Sequence, residues 1–318
     1  MLLKKRVPLK YILGKIRMEL ALIVLYCVSF EIFHHYFQTV PTKIPIAIPS
    51  IIGTIISLLL AFKSNQAYDR WWEARIVWGA IVNDSRSLMR QVIGFYKDPD
   101  FSTRANDYKE RFANRQAAWC YSLGESLRGK DPIKPIKSLL TEEELRFVKK
   151  HKHVPNAILM LHVKELRKAN EEGKINVYQQ VEIDNTLTRL CDSMGKCERI
   201  KNTIFPTTYS LYIRFTLFLF LILLPFGLTD FLGWFRIPLV TTIGAAFFLI
   251  EKMAIHLQDP FENRPTDTPM ILISNTIEKN LLQMVNEYRN EFEFDGEATK
   301  EEVNLAHIQP VKNAYFVL

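Results

Sequence analysis

Two histidine pairs, His34–His35 and His151/His153, are the first residues to test for metal or proton chemistry. His151 and His153 stand at i,i+2 on a lysine-rich run, a spacing that does not put two side chains on one side of a helix. Solvated surface is therefore the expected reading rather than a metal site. His34 and His35 close the apolar run "LALIVLYCVSFEIFHHYF" (20–37), where interfacial placement accounts for them and a pH response is the alternative. Glu31, inside that run, is the costlier residue. A carboxylate among apolar neighbours has to face protein or water, pair with another helix, or take up a proton. The four cysteines, Cys27, Cys120, Cys191 and Cys197, form no CxxC pair and fit a reducing compartment with no required disulfide. No GxSxG, Walker A, HExxH or GxGxxG pattern occurs, so no catalytic residue, metal, cofactor or enzyme activity is expected.

A different kind of chemistry needs only shape and polarity. Thr54, Leu58 and Phe62 recur every four residues and share one stripe if "IPIAIPSIIGTIISLLLAF" (44–62) is helical. At the helical rise they stack over ~12 Å. Two readings fit such a stripe. It is either a seam packed against another helix or the wall of a pore, where narrow apolar rings shed water and block hydrated ions.

The elements that must carry these residues are visible in how the apolar residues clump. They gather in four stretches, roughly 20–37, 44–62, 209–229 and 231–250, with most of the charge between the second and third and after the fourth. A hydrocarbon core of ~30 Å takes about 20 helical residues. Residues 44–62 are uncharged and of that length. Residues 215–229 and 237–250, with Asp230 and Arg236 in their connection, read as a helical hairpin turned at "TDFLGWFRIP". Four spans are expected, with a core hairpin of a soluble helical protein as the alternative. Pro45 and Pro49 are expected to break or kink the second span, next to Gly53.

Basic residues set the orientation. Lys4, Lys5, Arg6, Lys10, Lys15 and Arg17 precede the first span, and the first external loop offers only Lys43. Arg70, Arg75, Lys196, Arg199 and Lys201 flank the middle block, which puts that block and both termini in the cytosol of an inner-membrane protein. The basic N-terminus is read as a lead-in to a span rather than a cleaved signal. The layout is then 1–70 with two spans, 71–205 cytosolic, 206–257 with two spans, and 258–318 cytosolic. The net charge of +7 suits this arrangement, and no RNP, zinc or helix-turn-helix pattern supports nucleic-acid binding. The cytosolic blocks read as amphipathic helices. Thr141 followed by Glu144 is a capping-box pattern, and Pro155 should interrupt the helix that follows. The tail "QPVKNAYFVL" is either a docking segment or a disordered end.

Between the second span and the cytosolic block lies "AYDRWWEAR". Trp71 and Trp72 suit a membrane interface, Lys63 and Arg70 can snorkel to water, and Glu73 stands three residues after Arg70, a spacing that permits an ion pair.

"YDRWWEAR" with "WGAIVNDSRSLMRQ", preceded by "GTIISLLLAFKSN" and followed by "LTRLCDSMGKCERIKNTIFP" and "IHLQDPFENRPTDTPM", resembles the bacterial branch of the bestrophin ion-channel family. The order of these blocks covers essentially the whole chain. The resemblance implies an all-α membrane protein with four transmembrane helices per protomer and a helical cytosolic region. It also implies a homopentamer around one axial pore that passes small monovalent ions. The second span then lines the neck with Thr54, Leu58 and Phe62, of which Thr54 departs from the apolar pattern and should wet its ring. A cytosolic constriction is implied near "GKINVYQQ", at Val177 first and Ile175 next. Asp69, Arg70, Trp71, Trp72 and Glu73 are the family-motif residues. Eukaryotic relatives are switched by calcium through an acidic cluster after the fourth span. Here Asp259, Glu262 and Asp267 are too sparse for a cage of six to eight oxygens, so calcium activation is not expected and Asp259–Phe261 should cap and pack. Anion conduction is the family's name-giving activity, and cation selectivity is open. A non-conducting membrane scaffold is the alternative function, and a carrier is a weaker third, since no inverted repeat is found.

Overall fold

The structure, a computed structural model, describes residues 14–37, 43–97, 103–203, 206–229, 233–264 and 266–291. The basic lead-in before residue 14, Asp230 and the C-terminal tail lie outside the described residues. Among the described residues the chain is all helical: α1 (Arg17–Tyr36), α2 (Ala47–Phe95), α3 (Thr103–Leu127), α4 (Glu142–Lys149), α5 (Val154–Glu171), α6 (Val177–Asn202), α7 (Thr207–Gly227), α8 (Arg236–Gln258) and α9 (Met270–Glu291). Four of these, α1, α2, α7 and α8 with its leading 3₁₀ turn, are long and apolar enough to cross a membrane. The chain divides into two compact units, one of residues up to 72 with 203–260, the other of 73–202 with 261 onward.

The first unit is α1, the first half of α2, α7 and α8. Its polarity is inverted relative to a water-soluble domain. Glu31, Lys63, Arg236 and Glu251 are buried, while Leu22, Leu25, Leu211, Phe215 and Ile222 are exposed. Charged groups turned inward and large apolar side chains turned outward are what a bilayer solvent demands. The Glu31 carboxylate accepts a hydrogen bond from Arg236 Nη2 at 3.1 Å and forms an ion pair with its Nε at 2.9 Å, and the guanidinium also lies 5.5 Å from the Phe30 ring. Lys252 pairs with Glu19 at 2.9 Å. These two pairs join opposite ends of α1 and α8, so the helices run antiparallel. Midway, a Cβ on Gly244 would lie 2.7 Å from Ile23 Cδ1, so the missing side chain lets the helices approach. Lipid tails are as apolar as leucine, so close packing and such polar pairs hold these helices together, with little help from hydrophobic burial.

The second apolar stretch begins its helix at Ala47 and stays helical to Phe95, 49 residues in all. Pro45 and Pro49 do not break it, contrary to the sequence expectation. Pro45 precedes the helix and its carbonyl accepts from the Ile48 N–H at 3.0 Å. Pro49 is the third helical residue, where the backbone N–H has no intrahelical acceptor to lose.

The second unit packs α3 through α6, the remainder of α2, and α9 around a core that includes Trp78, Phe112 and Trp119. Its helix ends follow local chemistry. Thr141 and Glu144 form the reciprocal capping box at α4. Pro155 falls in the first turn of α5, so the chain breaks between α4 and α5. His153 caps α5, its Nδ1 accepting from the Asn156 N–H at 3.1 Å while Nε2 meets Glu198 at 2.7 Å. After α3 and α5, Gly129 and Gly173 take positive φ, 66° and 70°. Each closes its helix by the paired bonds of a Schellman turn, Lys130 N–H to Glu125 O and Lys174 N–H to Ala169 O among them.

Candidate pore-lining site

On α2 one face is buried against the rest of its unit and the opposite face is open. Ile56, Leu60 and Lys63 are within 2 % of complete burial, whereas Leu58 is 59 % exposed and Phe62 57 %. Ile51, Ile55 and Thr54 share the open side. Two contacts hold the buried side in register with α7. The Tyr209 hydroxyl donates to the Leu59 carbonyl at 3.1 Å, and the Phe220 ring lies where a Cβ on Gly53 would come within 3.1 Å. Gly53 is thus a point of close helix packing.

Thr54 is less polar than its residue type suggests. Its hydroxyl donates to the Ser50 carbonyl one turn earlier at 2.9 Å, as Ser57 does to Gly53 at 2.8 Å. With the proton engaged inside the helix, the outer level of the stripe presents a methyl group and an acceptor oxygen only.

The motif residues separate in role. Asp69 is exposed, Arg70 and Trp71 are half-buried, and Trp72 is exposed. The Tyr68 and Trp72 rings lie nearly parallel with centroids 6.4 Å apart. The Arg70 guanidinium donates to the Thr203 carbonyl at 2.6 Å, so this side chain ties α2 to the start of the segment leading into α7. Glu73 pairs with Arg199 of α6, not with Arg70 as the three-residue spacing suggested. A partner 126 positions away could not be read from local spacing.

At the second expected constriction the two candidates diverge. Ile175 is 3 % exposed and belongs to the core of its unit, while Val177 is 63 % exposed. Burial removes Ile175 from any lumen. Val177 is the first residue of α6, and its place is fixed by a reciprocal cap in which Asn176 and Gln179 each accept the other's backbone N–H at 2.9 Å. Tyr178, which sequence reasoning passed over, is more exposed still, at 87 %.

The loop after α8 uses its acids locally. Asp259 ends α8, and Phe261 is buried in the core of the second unit. The Lys201 ammonium hydrogen-bonds Glu262 and holds its carboxyl below the usual range. Asp267 accepts the Arg264 N–H at 3.0 Å, and burial pushes its carboxyl up to about 6.

An all-helical protein with four membrane-length helices and an outward stripe on the second is the class these observations define. Residues 7–283 match the family described as Bacterial/Fungal Bestrophin protein, and the chain belongs to that family. It is 32% identical over 244 residues to a voltage-dependent anion channel-forming protein of Nostoc sp., covering 75% of this chain and 78% of that one. The voltage-dependent anion channel-forming protein YneE of Salmonella typhi is 31% identical over 87% of this chain and 88% of its own. Among solved structures, a bacterial bestrophin homolog from Klebsiella pneumoniae superposes with a TM-score of 0.78 at 30% identity, over 85% of this chain and 98% of the other.

Proposed function

We propose that this protein forms a channel for small monovalent ions in which a pentamer surrounds one axial pore; its relatives are named anion channel-forming proteins, and cation selectivity is open for this chain. Thr54, Leu58 and Phe62 line its neck, and Val177 a second constriction. The observation that carries this reading is the placement of Leu58 and Phe62 on the open face of α2 while Lys63, the next residue, is fully buried on the other. A helix that hides an ammonium and offers leucine and phenylalanine outward is suited to an apolar ring, where dewetting rather than charge opposes ion passage. Asp69 to Glu73 mark the boundary where α2 leaves the bilayer. Residues 1–70 and 206–257 carry the membrane part, 71–205 and 258–318 face the cytosol with both termini, and the inner membrane is the site of action. Calcium plays no part in activation.

Purified protein in planar bilayers tests the reading. Phe62→Ala and Leu58→Ala are expected to raise conductance, about tenfold for each ~1.4 kcal/mol removed from the crossing barrier. Currents unchanged by either substitution, or a monomer or dimer in detergent with no flux in liposomes, would favour the non-conducting scaffold. Reversal potentials in asymmetric KCl give the sign of the permeant ion.

A further inference from the structure

The open face of α2 continues past the neck, and its polarity changes abruptly there. Asp69 follows Phe62 by seven residues and Leu58 by eleven, within an unbroken helix. Both spacings return to the same side at 3.6 residues per turn, and Asp69 lies ~10 Å along the axis from Phe62. It is exposed, and among the described residues its carboxylate has neither a hydrogen-bond nor an ion-pair partner. Neither Arg70 nor Lys63 pairs with it. Arg70 donates to the Thr203 carbonyl, and the Lys63 side chain is buried on the opposite face. An unpaired carboxylate kept on a stripe of otherwise apolar or neutral side chains is the feature that the apolar neck does not explain.

Resting on the pore reading above, we propose that Asp69 is the charge-discriminating residue of the conduction path, forming a ring of carboxylates just beyond the apolar neck that concentrates monovalent cations and repels anions. The neck itself carries no sign, because leucine and phenylalanine oppose the dehydration of either ion alike. A ring of like charges does carry one. Its field reaches an ion at the neck because ~10 Å is about one Debye length at 0.1 M salt. This chain therefore leans toward cations relative to a family member with a neutral residue at this position.

The test is a reversal-potential measurement in asymmetric KCl on the full-length protein. Asp69→Asn is expected to lower the potassium-to-chloride permeability ratio about fivefold, Asp69→Lys to lower it further, and Asp69→Glu to keep the wild-type ratio. The wild-type ratio should also fall as salt rises from 0.1 to 1 M, where the Debye length shrinks to ~3 Å, and the Asp69→Asn ratio should not. That salt series reads the ring even where a substitution fails to assemble. Phe62→Ala is recorded in parallel. If Phe62→Ala changes conductance while Asp69→Asn leaves the ratio unchanged, or the wild-type ratio is indifferent to salt, the assignment of Asp69 is overturned and the pore reading stands. If Asp69→Asn disperses the assembly and Asp69→Glu preserves it, Asp69 is a contact between protomers and the assignment is likewise overturned. If neither Phe62→Ala nor Asp69→Asn alters any current, the pore reading itself falls.

Discussion

His162 is completely buried in the second unit, its ring 4.3 Å from that of Phe112, and neither ring nitrogen has a hydrogen-bond partner among the described residues. Burial, helped by the Arg115 charge, holds its pKa well below the ordinary histidine value. The folded protein therefore binds fewer protons at this site than the unfolded chain, whose histidine titrates near ~6.5. The linkage sign follows: stability at this site is full above that pH and declines as pH falls below it. Melting followed in detergent is expected to show a lower Tm at pH 5.5 than at pH 7.5, with a smaller drop in His162→Leu. An equal drop in both would mean that other groups dominate the acid limb. Asp267 pulls the other way, since burial raises its carboxyl to about 6 and the folded state gains protons there as pH falls. The comparison of wild type with His162→Leu isolates the histidine because Asp267 is common to both.

Among the elements, the contact of α1 with α8 is the most exposed to a small change. Gly244 leaves no room for a Cβ beside Ile23 and Leu221. Gly244→Ala displaces the flexible Ile23 tip, whereas Gly244→Val places a branched side chain at the crossing. The expectation is a modest loss of thermal stability for alanine and a loss of several kcal/mol for valine, of the size overpacking costs (~1–3 kcal/mol or more). A valine variant melting with wild type would show that the helices are not in close contact. Much of this layer was legible beforehand. The four apolar runs stood out because lipid-facing helices need no polar side, and the capping box at Thr141 announced α4 through residues only three apart. The pairing of Glu31 with Arg236 was not legible, because 205 positions separate them and only the fold brings them together. The facing of Leu58 against Ile56 was not legible either. Both are aliphatic residues in an unbroken apolar run, so composition carries no phase, and only packing against α7 decides which one turns outward. Ile175 and Val177 stand two residues apart, yet one is buried and the other exposed, on either side of the Asn176 cap that begins α6.

For the molecule as a whole, the exposed apolar residues of the membrane unit are of two kinds: those expected against lipid, such as Leu25 and Phe215, and those expected against a water path, Leu58 and Phe62. Burial within one protomer does not separate them. Thiol chemistry does. Cys27, Cys120 and Cys197 are buried and Cys191 alone of the four is exposed, so Cys191→Ser gives a quiet background. On that background Phe62→Cys should react with a water-soluble thiol reagent and change the current, while Leu25→Cys and Phe215→Cys should resist it in membranes. Rapid reaction at Leu25→Cys, or none at Phe62→Cys in an open channel, would reverse the facing of α2.

The Glu31–Arg236 pair also sets an order for biosynthesis. Glu31 is translated early and its guanidinium partner 205 residues later, a gap of about 10 to 40 seconds at ordinary ribosome speeds. Throughout that interval the first helix holds a carboxylate whose guanidinium partner has not yet been made. The Glu31–Arg236 pair can form only once the last membrane helix has left the ribosome.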